Sequence, residues 1–406
     1  MLKFQAQQIC NQMNQSREVT VHTFGSANAS NFWKNCSTGK NFLICGGSES
    51  QRSAMLVRML EDHRARTGDP VIVLTGSAET EAAVIRSAND NRLGSVMVSS
   101  PSYQNYHALY GLNTDQMRKL LVSVARQKGY GDVDKMENYI DAFLAISNRY
   151  YPPSLAALVQ LDNQFWENAQ LQQLGKGSGL SSHQLEAISS YPAGTANLRR
   201  VLKDLVACFG NISTINCASK RNILTGVSSG MLVCIRVNSS DPQVLDLALA
   251  AELQQLMAQG RRFLLVLNDV FLSSAGGLYQ QVLWAKNVSS STHVGICVQN
   301  ANAWAGTVPG EMDSANDLLK NTQNFALFND AGDSDGDLND ILKYLGVYQK
   351  HEPIPAPHAH GPIITDWVVA GAGSCSRVAP EDLNGIGILL KGHSGRRIHL
   401  YPNIHI

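Results

Sequence analysis

Two hydrophobic patterns divide the chain. In the first, short continuous apolar runs alternate with segments whose apolar residues recur at helical spacing. Phe42–Cys45, Val71–Leu74 and Val96–Val98 are such runs. Between them the spacing predicts a helix over 51–66, with Met55, Leu56, Met59 and Leu60 on one face, and another over about 79–88. Gly68-Asp-Pro70 ends the first helix. Strands that are apolar throughout, separated by amphipathic helices, predict a parallel sheet covered on both faces. Ahead of them, residues 1–40 hold a predicted helix (3–16), a short strand from Glu18 to Phe24 and a polar Gly/Ser/Asn-rich connection.

From about 101 to 215 the second pattern takes over. Asp115 to Gln127 sets Met117, Leu120, Leu121 and Val124 on one face. Further helices are predicted near 133–147, 153–160, 181–190 and 196–209, with Pro152-Pro153 and Gly175-Lys-Gly-Ser-Gly179 as breaks. No strand pattern interrupts them, so an all-α insertion is expected. Sheet pattern resumes at Met231–Val237. Asp241 is placed to cap a helix that has Pro242 at its first position and Gly260 at its close. Phe263–Leu267 ends in Asn268-Asp269, and Val294–Val298 ends at Gln299. Phe325–Phe328 leads to a helix carrying Leu338, Ile341, Leu342 and Leu345, closed by Gly346. Residues 351–375, rich in Pro, His, Gly and Ala, read as an extended connection, and Pro380 starts a short helix. Ile386–Leu390 and Arg397–Tyr401, joined through Gly392-His-Ser-Gly395, predict a terminal hairpin. The expected organisation is an N-terminal extension (1–40), an α/β core from 41–100 and 216–406, and an all-α insertion domain over 101–215.

Composition narrows the function classes. A chain of 406 residues, 44% hydrophobic and 16% charged, is long enough for two or three domains and has a soluble globular balance. Lys+Arg and Asp+Glu stand at 33 each, so the overall basic excess of a strong non-specific nucleic-acid binder is missing, although a local patch stays open. The eight cysteines are scattered singly without a C-x-x-C, which disfavours a zinc knuckle. Cys45, Cys234 and Cys297 sit in apolar runs and read as small buried hydrophobes, as suits a reducing compartment. No signal-peptide stretch and no run approaching a membrane span is seen, so a cytoplasmic protein is expected.

The candidate chemistry lies at the turn after Phe42–Cys45. Gly46-Gly47-Ser48-Glu49-Ser50-Gln51-Arg52-Ser53 is in register with the phosphate-loop pattern G-x-x-x-x-G-K-[ST]. Gly46 and Ser53 fit; Gln51 stands at the second glycine and Arg52 at the lysine. Such a loop holds phosphates with backbone N–H groups and a helix N-terminus, a lysine reaches the β/γ-phosphates, and a Ser/Thr hydroxyl sits on Mg2+. A second strand must end in an acid for the metal, usually followed by an acid that activates water. Phe263-Leu-Leu-Val-Leu-Asn268-Asp269 has that form, with Asn268 at the first acid. An amide brings no charge, and charge-assisted bonds are about twice as strong as neutral ones. Arg52 can contact phosphate, but through a planar fork rather than a point charge.

The order of these parts resembles the FtsK–HerA–TraG group of P-loop ATPases, with TraG/TraD-type coupling proteins of conjugation and type IV secretion the nearest in pattern. The resemblance covers roughly residues 40 to 406 and rests on order: loop, helical insertion, a strand and helix from Gly230 to Gly260, the Asn268-Asp269 strand, the Val294–Gln299 strand, Asn324–Phe328, Val378–Leu383 and a terminal hairpin. It implies a RecA-like P-loop NTPase core, mainly parallel, with an all-α insertion that recruits DNA or protein substrate. It also implies an oligomer, up to a hexameric ring, within secretion or DNA-transfer machinery. By position, Gly46 to Ser53 would hold ATP, Ser53 and Asn268 would face Mg2+, and Asp269 and Gln299 would be the catalytic acid and polar sensor. The family's membrane helices are not seen, so the expected place is the cytoplasm or the inner face of a membrane. With the departures at 51, 52 and 268, the first expectation is a degenerate ATPase-like subunit acting as substrate receptor or assembly component. The alternatives are an active ATPase motor using Arg52 and Asp269, and an adaptor that never meets nucleotide.

Other residue clusters have plainer readings. His358-Ala-His360 reads as a solvated loop rather than a metal site, and Asp333-Ser-Asp-Gly-Asp337 as a helix cap rather than a calcium loop, because it lacks the spaced glutamate. Arg199-Arg200 and Arg261-Arg262 read as solvated pairs, and Tyr150-Tyr-Pro-Pro153 and Trp166 as core or partner surface rather than base-stacking platforms.

Overall fold

The structure, a computed structural model, describes residues 1–14, 19–21, 41–99, 106–151, 154–209, 221–237, 239, 241–270, 292–300, 322–328, 338, 341–342, 345–357, 364, 366–378, 382–383, 386–391 and 398–401. In chain order its elements are α1 (Lys3–Asn14), β1 (Val19–Val21), β2 (Phe42–Cys45), α2 (Glu49–Thr67), β3 (Val71–Thr75), α3 (Ala78–Asn89) and β4 (Val96–Ser99). The helical stretch follows as α4 (Thr114–Lys128), α5 (Val133–Ser147), α6 (Leu155–Val159), a 3-10 turn (Asn163–Trp166), α7 (Asn168–Gly177), α8 (Ser182–Ser190), α9 (Gly194–Cys208) and α10 (Ile223–Ser228). The rest is β5 (Leu232–Arg236), α11 (Pro242–Ala258), β6 (Phe263–Asn268), β7 (Thr292–Val298), β8 (Asn324–Phe328), β9 (Val347–Pro355), β10 (Trp367–Ser376), β11 (Ile386–Lys391) and β12 (Ile398–Tyr401). Pro152-Pro153, the 333–337 and 358–360 clusters, the Gly392–Gly395 turn and Pro380 lie outside the described residues. Among the described residues no helix is long and apolar enough to cross a membrane.

Two compact units share these elements: Met1–Met59 with Ile296–Ala305 and Ala315–Ile406, and Leu60–Gly295 with Gly306–Ser314. In the first, strand order is β1-β12-β11-β8-β2-β7. β2 runs parallel to β8 with Phe42 opposite Asn324, and both strands are buried along their whole length, as expected of a sheet covered on both faces. β11 is antiparallel to both β8 and β12, which is the expected terminal hairpin. Residues 351–375 correct the sequence reading. They are not an extended connection: β9 and β10 form a separate antiparallel pair, Val347 opposite Ser376 and Pro355 opposite Trp367. Both strands are largely solvated, so no hydrophobic alternation marks them. They are held from outside by α1, where Asn14 exchanges two 2.9 Å hydrogen bonds with the backbone of His351 and the Trp367 N–H donates to Met1 O at 2.9 Å.

In the second unit the order is β6-β3-β5-β4, all parallel. β3 and β6 are buried end to end, and α11 is buried over most of its length. Asp241 caps α11 through the Val244 N–H, Pro242 opens it, and Gly260 at φ 65° closes it. The described residues from 106 to 209 are helical apart from turns and carry no strand. Met117, Leu120, Leu121 and Val124 of α4 are buried as their spacing requires. The stretch Gly175–Gly179 breaks the helices as expected, but only in its second half: α7 runs on to Gly177, and the turn falls at Ser178 and Gly179, the latter at φ 69°. A Cβ at Gly175 would lie 2.9 Å from Leu185 Cδ2, so that glycine serves close packing against α8 rather than a turn.

One buried polar seam joins this helical stretch to α11. Glu252, 1% exposed, accepts from the Tyr106 hydroxyl at 2.5 Å and the Leu109 N–H at 2.8 Å. Gln255 one turn on accepts from the Asn113 N–H at 2.7 Å and donates to Gly111 O at 2.8 Å. From the far end of the helical stretch, Asn222 donates to Tyr110 O at 2.7 Å.

Candidate functional site

In the first unit the loop after β2 is built on two glycines with left-handed backbone, Gly46 at φ 87° and Gly47 at φ 72°. The Gly46 N–H points to the end of β7, with Val298 O at 3.2 Å and Gln299 O at 3.1 Å, and Cys45 Sγ lies 3.6 Å from Gln299 O. The structure therefore brings Gln299 beside the loop, through its backbone; its side chain is exposed. Gly47 sits on the Phe328 ring so closely that a Cβ there would fall 2.7 Å from Cδ1.

From Ser48 onward the loop spends its donors on itself. The Ser48 N–H donates to Gln51 Oε1 at 2.9 Å, and the Gln51 N–H donates to Ser48 Oγ at 3.3 Å. This reciprocal pair is a capping box, and it starts α2 at Glu49, before the position where a lysine-bearing phosphate loop turns helical. The Arg52 N–H bonds Ser48 O at 3.0 Å. The Arg52 side chain is 5% exposed and folds back, with Nη1 donating to Gly47 O at 2.6 Å. Ser53 is 2% exposed, while Ser48, Glu49, Ser50 and Gln51 are exposed. Removing the cap by Ser48→Ala is expected to lower stability by about 1 kcal/mol, read as a fall in the urea midpoint at unchanged slope.

A bound triphosphate needs those same N–H groups and a cation aimed at it. Here the N–H groups of Gly46, Ser48, Gln51 and Arg52 have protein acceptors, and the guanidinium is turned onto a loop carbonyl. The sequence signal for this arrangement was present in Ser48-x-x-Gln51, the capping-box spacing, inside a stretch that also has phosphate-loop register.

In the second unit β6 ends in Asn268, 1% exposed, then Asp269 at φ 50°, a backbone conformation that Asp tolerates better than most residues. Asn268 Nδ2 donates to Thr75 Oγ1 and to Thr80 Oγ1, both at 2.8 Å, so the amide clamps the end of β3 to the first turn of α3. Ser77 caps α3 through the Thr80 N–H at 3.0 Å. The Gly76 N–H donates to Asn268 O at 2.9 Å, and a Cβ at Gly76 would meet Asp269 O at 2.6 Å. Thr75, Gly76 and Thr80 were not marked by sequence reasoning, because their role comes from β3 pairing with β6, a contact nearly two hundred residues apart in the chain. Among the described residues no group of three or more His, Cys, Asp or Glu is placed to hold a metal ion. Burial pushes the Cys234 thiol up to about 12, so it is an inert core residue.

No protein-family model matches the sequence, and no curated protein matches it. Among solved structures, a bacterial conjugative coupling protein, TrwBdeltaN70 in its unbound form, is similar with a TM-score of 0.51 at 14% identity, over 91% of this chain and 85% of that one. TrwB in complex with a non-hydrolysable ATP analogue aligns with a TM-score of 0.49 at 14% identity, over 90% of this chain and 86% of that one. VirB4 of Thermoanaerobacter pseudethanolicus aligns with a TM-score of 0.46 at 14% identity, over 75% and 80%. The first likeness is one of fold: the chain has the α/β architecture that its pattern of elements predicts, of the RecA-like kind that the resemblance implies.

Proposed function

We propose that this chain is a degenerate, non-hydrolysing P-loop ATPase-like subunit of a DNA-transfer or secretion machine, serving as substrate receptor or assembly component. Its fold, shared with a conjugative coupling protein, supports the machine. The carrying observation for the loss of hydrolysis is the loop itself: a capping box at Ser48 and Gln51, with Arg52 folded onto Gly47 O. Asn268, committed to two threonine hydroxyls, supports the same reading from the second unit. In this proposal the helices between Thr114 and Cys208 meet the substrate, and the subunit works in an oligomer on the cytoplasmic side of a membrane.

Two measurements test it. Purified chain, with Arg52→Ala and Asp269→Ala beside it, is assayed for ATP binding and phosphate release up to millimolar ATP. No turnover above background is expected, and turnover abolished by both substitutions would overturn the proposal in favour of an active ATPase. Deleting the chain from its host should lower transfer of DNA or protein to a recipient; transfer at the wild-type level without it removes the machine from the proposal.

A further inference from the structure

The helical stretch of the second unit contains a cleft that the nucleotide-site residues do not touch. Its volume is about 230 Å³, and Val159, Trp166, Arg199, Leu202, Lys203 and Val206 line it. Sites that hold a whole cofactor or drug-sized ligand run to roughly 300–1,000 Å³, so this one suits a side-chain-sized anchor. Its floor is aliphatic: Leu202 and Val206 stand one turn apart on α9, and Val159 ends α6. Its rim is cationic, with Arg199 and Lys203, also one turn apart, both exposed. On the neighbouring helices α4 and α5 some cations are matched: Arg118 reaches Asp115 at 2.9 Å and Glu137 at 3.1 Å, and Lys128 pairs with Asp241. Among the described residues no carboxylate pairs with Arg199 or Lys203. Arg200, next to them, lies over the Tyr130 ring at 5.9 Å.

We propose that this cleft binds an acidic peptide, taking one aliphatic side chain onto Val159, Leu202 and Val206 and an adjacent carboxylate onto Arg199 and Lys203. An apolar floor with two unmatched cations one helical turn apart complements that pair of groups. A guanidinium offers a carboxylate two parallel N–H bonds, which an ammonium beside it reinforces. Single-stranded nucleic acid is the less suited occupant. Base stacking needs an available aromatic face, and Trp166 is already engaged: the Arg199 guanidinium carbon lies 4.9 Å from its ring centroid, the Phe143 ring lies 5.4 Å away, and Nε1 donates to Leu161 O at 3.2 Å. The chain's zero net charge also lacks the electrostatic pull of a nucleic-acid binder. The inference rests on the receptor part of the proposed function and is independent of whether the loop at 46–53 takes nucleotide.

The test is fluorescence anisotropy of the full chain with a labelled peptide of alternating Leu and Glu. The controls are the same peptide with Gln for Glu, the same with Ala for Leu, and a labelled oligo-dT. The Leu/Glu peptide is expected to bind, and each peptide control to lose at least tenfold in affinity. Arg199→Glu with Lys203→Glu, both exposed and therefore compatible with folding, should cost at least tenfold. Leu202→Trp, which fills the floor and keeps the charge, should cost a similar factor. No binding of the Leu/Glu peptide, affinity unmoved by the charge reversal, or a loss confined to oligo-dT binding would each overturn the assignment. The ATP assay on the charge-reversed chain is expected to match wild type, so failure of the cleft and failure of the nucleotide reading are separately visible.

Discussion

Glu252→Ala is expected to cost the protein about 3 kcal/mol, because it removes one acceptor from two buried donors at once. The Tyr106 hydroxyl and the Leu109 N–H both end on this carboxyl, and neither has water to turn to. The Tyr106 hydroxyl also takes the Ile223 N–H at 3.5 Å, so both ends of the helical stretch lose a partner together. Burial pushes the Glu252 carboxyl up to about 7 from 4.5, against the hydrogen bonds it accepts, and the same burial together with the nearby carboxylate raises the Tyr106 hydroxyl well above its ordinary value. The sign of the pH effect follows. Between pH 4.5 and about 7 the folded chain holds this proton and the unfolded chain releases it. The stability it contributes is therefore full below pH 4.5 and is lost as pH rises through about 7. At about 1.36 kcal/mol per pH unit, the whole change is on the order of 3 kcal/mol. Urea midpoints of wild type and Glu252→Gln from pH 5 to 8 check this. The margin of wild type over the amide should shrink steadily to about pH 7 and then level off. A margin that is flat with pH would show that the carboxyl is ionised throughout and the seam is held in another way.

The second large effect is expected at Gly47→Ala, with a loss of about 2–4 kcal/mol. Part is the left-handed backbone, φ 72°, which costs a residue with a Cβ about 1 kcal/mol. The larger part is overpacking against Phe328, since the new methyl would sit 2.7 Å from Cδ1, and a forced core shift costs about 1–3 kcal/mol. Shrinking the ring separates the two. In a double-mutant cycle Phe328→Leu should recover the packing share in the Gly47→Ala background and leave the backbone share. Strict additivity of the two losses would mean that the loop does not rest on the ring. Because Gly47 O also receives Arg52 Nη1, the same substitution should loosen the arginine, detectable as faster amide exchange in the first turn of α2.

What the sequence by itself determined is everything governed by short-range chemistry. The buried strands β2, β3 and β6 were legible because a continuous apolar run has no solvated face to offer. α4 and α11 were legible from spacing, and Asp241-Pro242 with Gly260 marked α11's ends because caps act within one turn. The position of the candidate loop was equally plain, since glycine placement after a strand is local. How that loop is arranged was not plain: Gly46 and Ser53 hold phosphate-loop register around a Ser48-x-x-Gln51 spacing that suits a capping box, and only the fold shows Gln51 turned onto the Ser48 N–H and Arg52 onto Gly47 O. Tertiary structure alone decided the rest. β9 and β10, largely solvated, show no alternation and exist as strands through their pairing and through α1. Gly175 became a packing contact because Leu185 lies against it, and Asn268 became a clamp because β6 lies beside β3. Glu252 reads in sequence as an ordinary helix glutamate until two distant segments bring their donors to it. In each case the deciding partner is far along the chain, and a periodicity of 2 or 3.6 residues reports which face is apolar but not what will be placed against it.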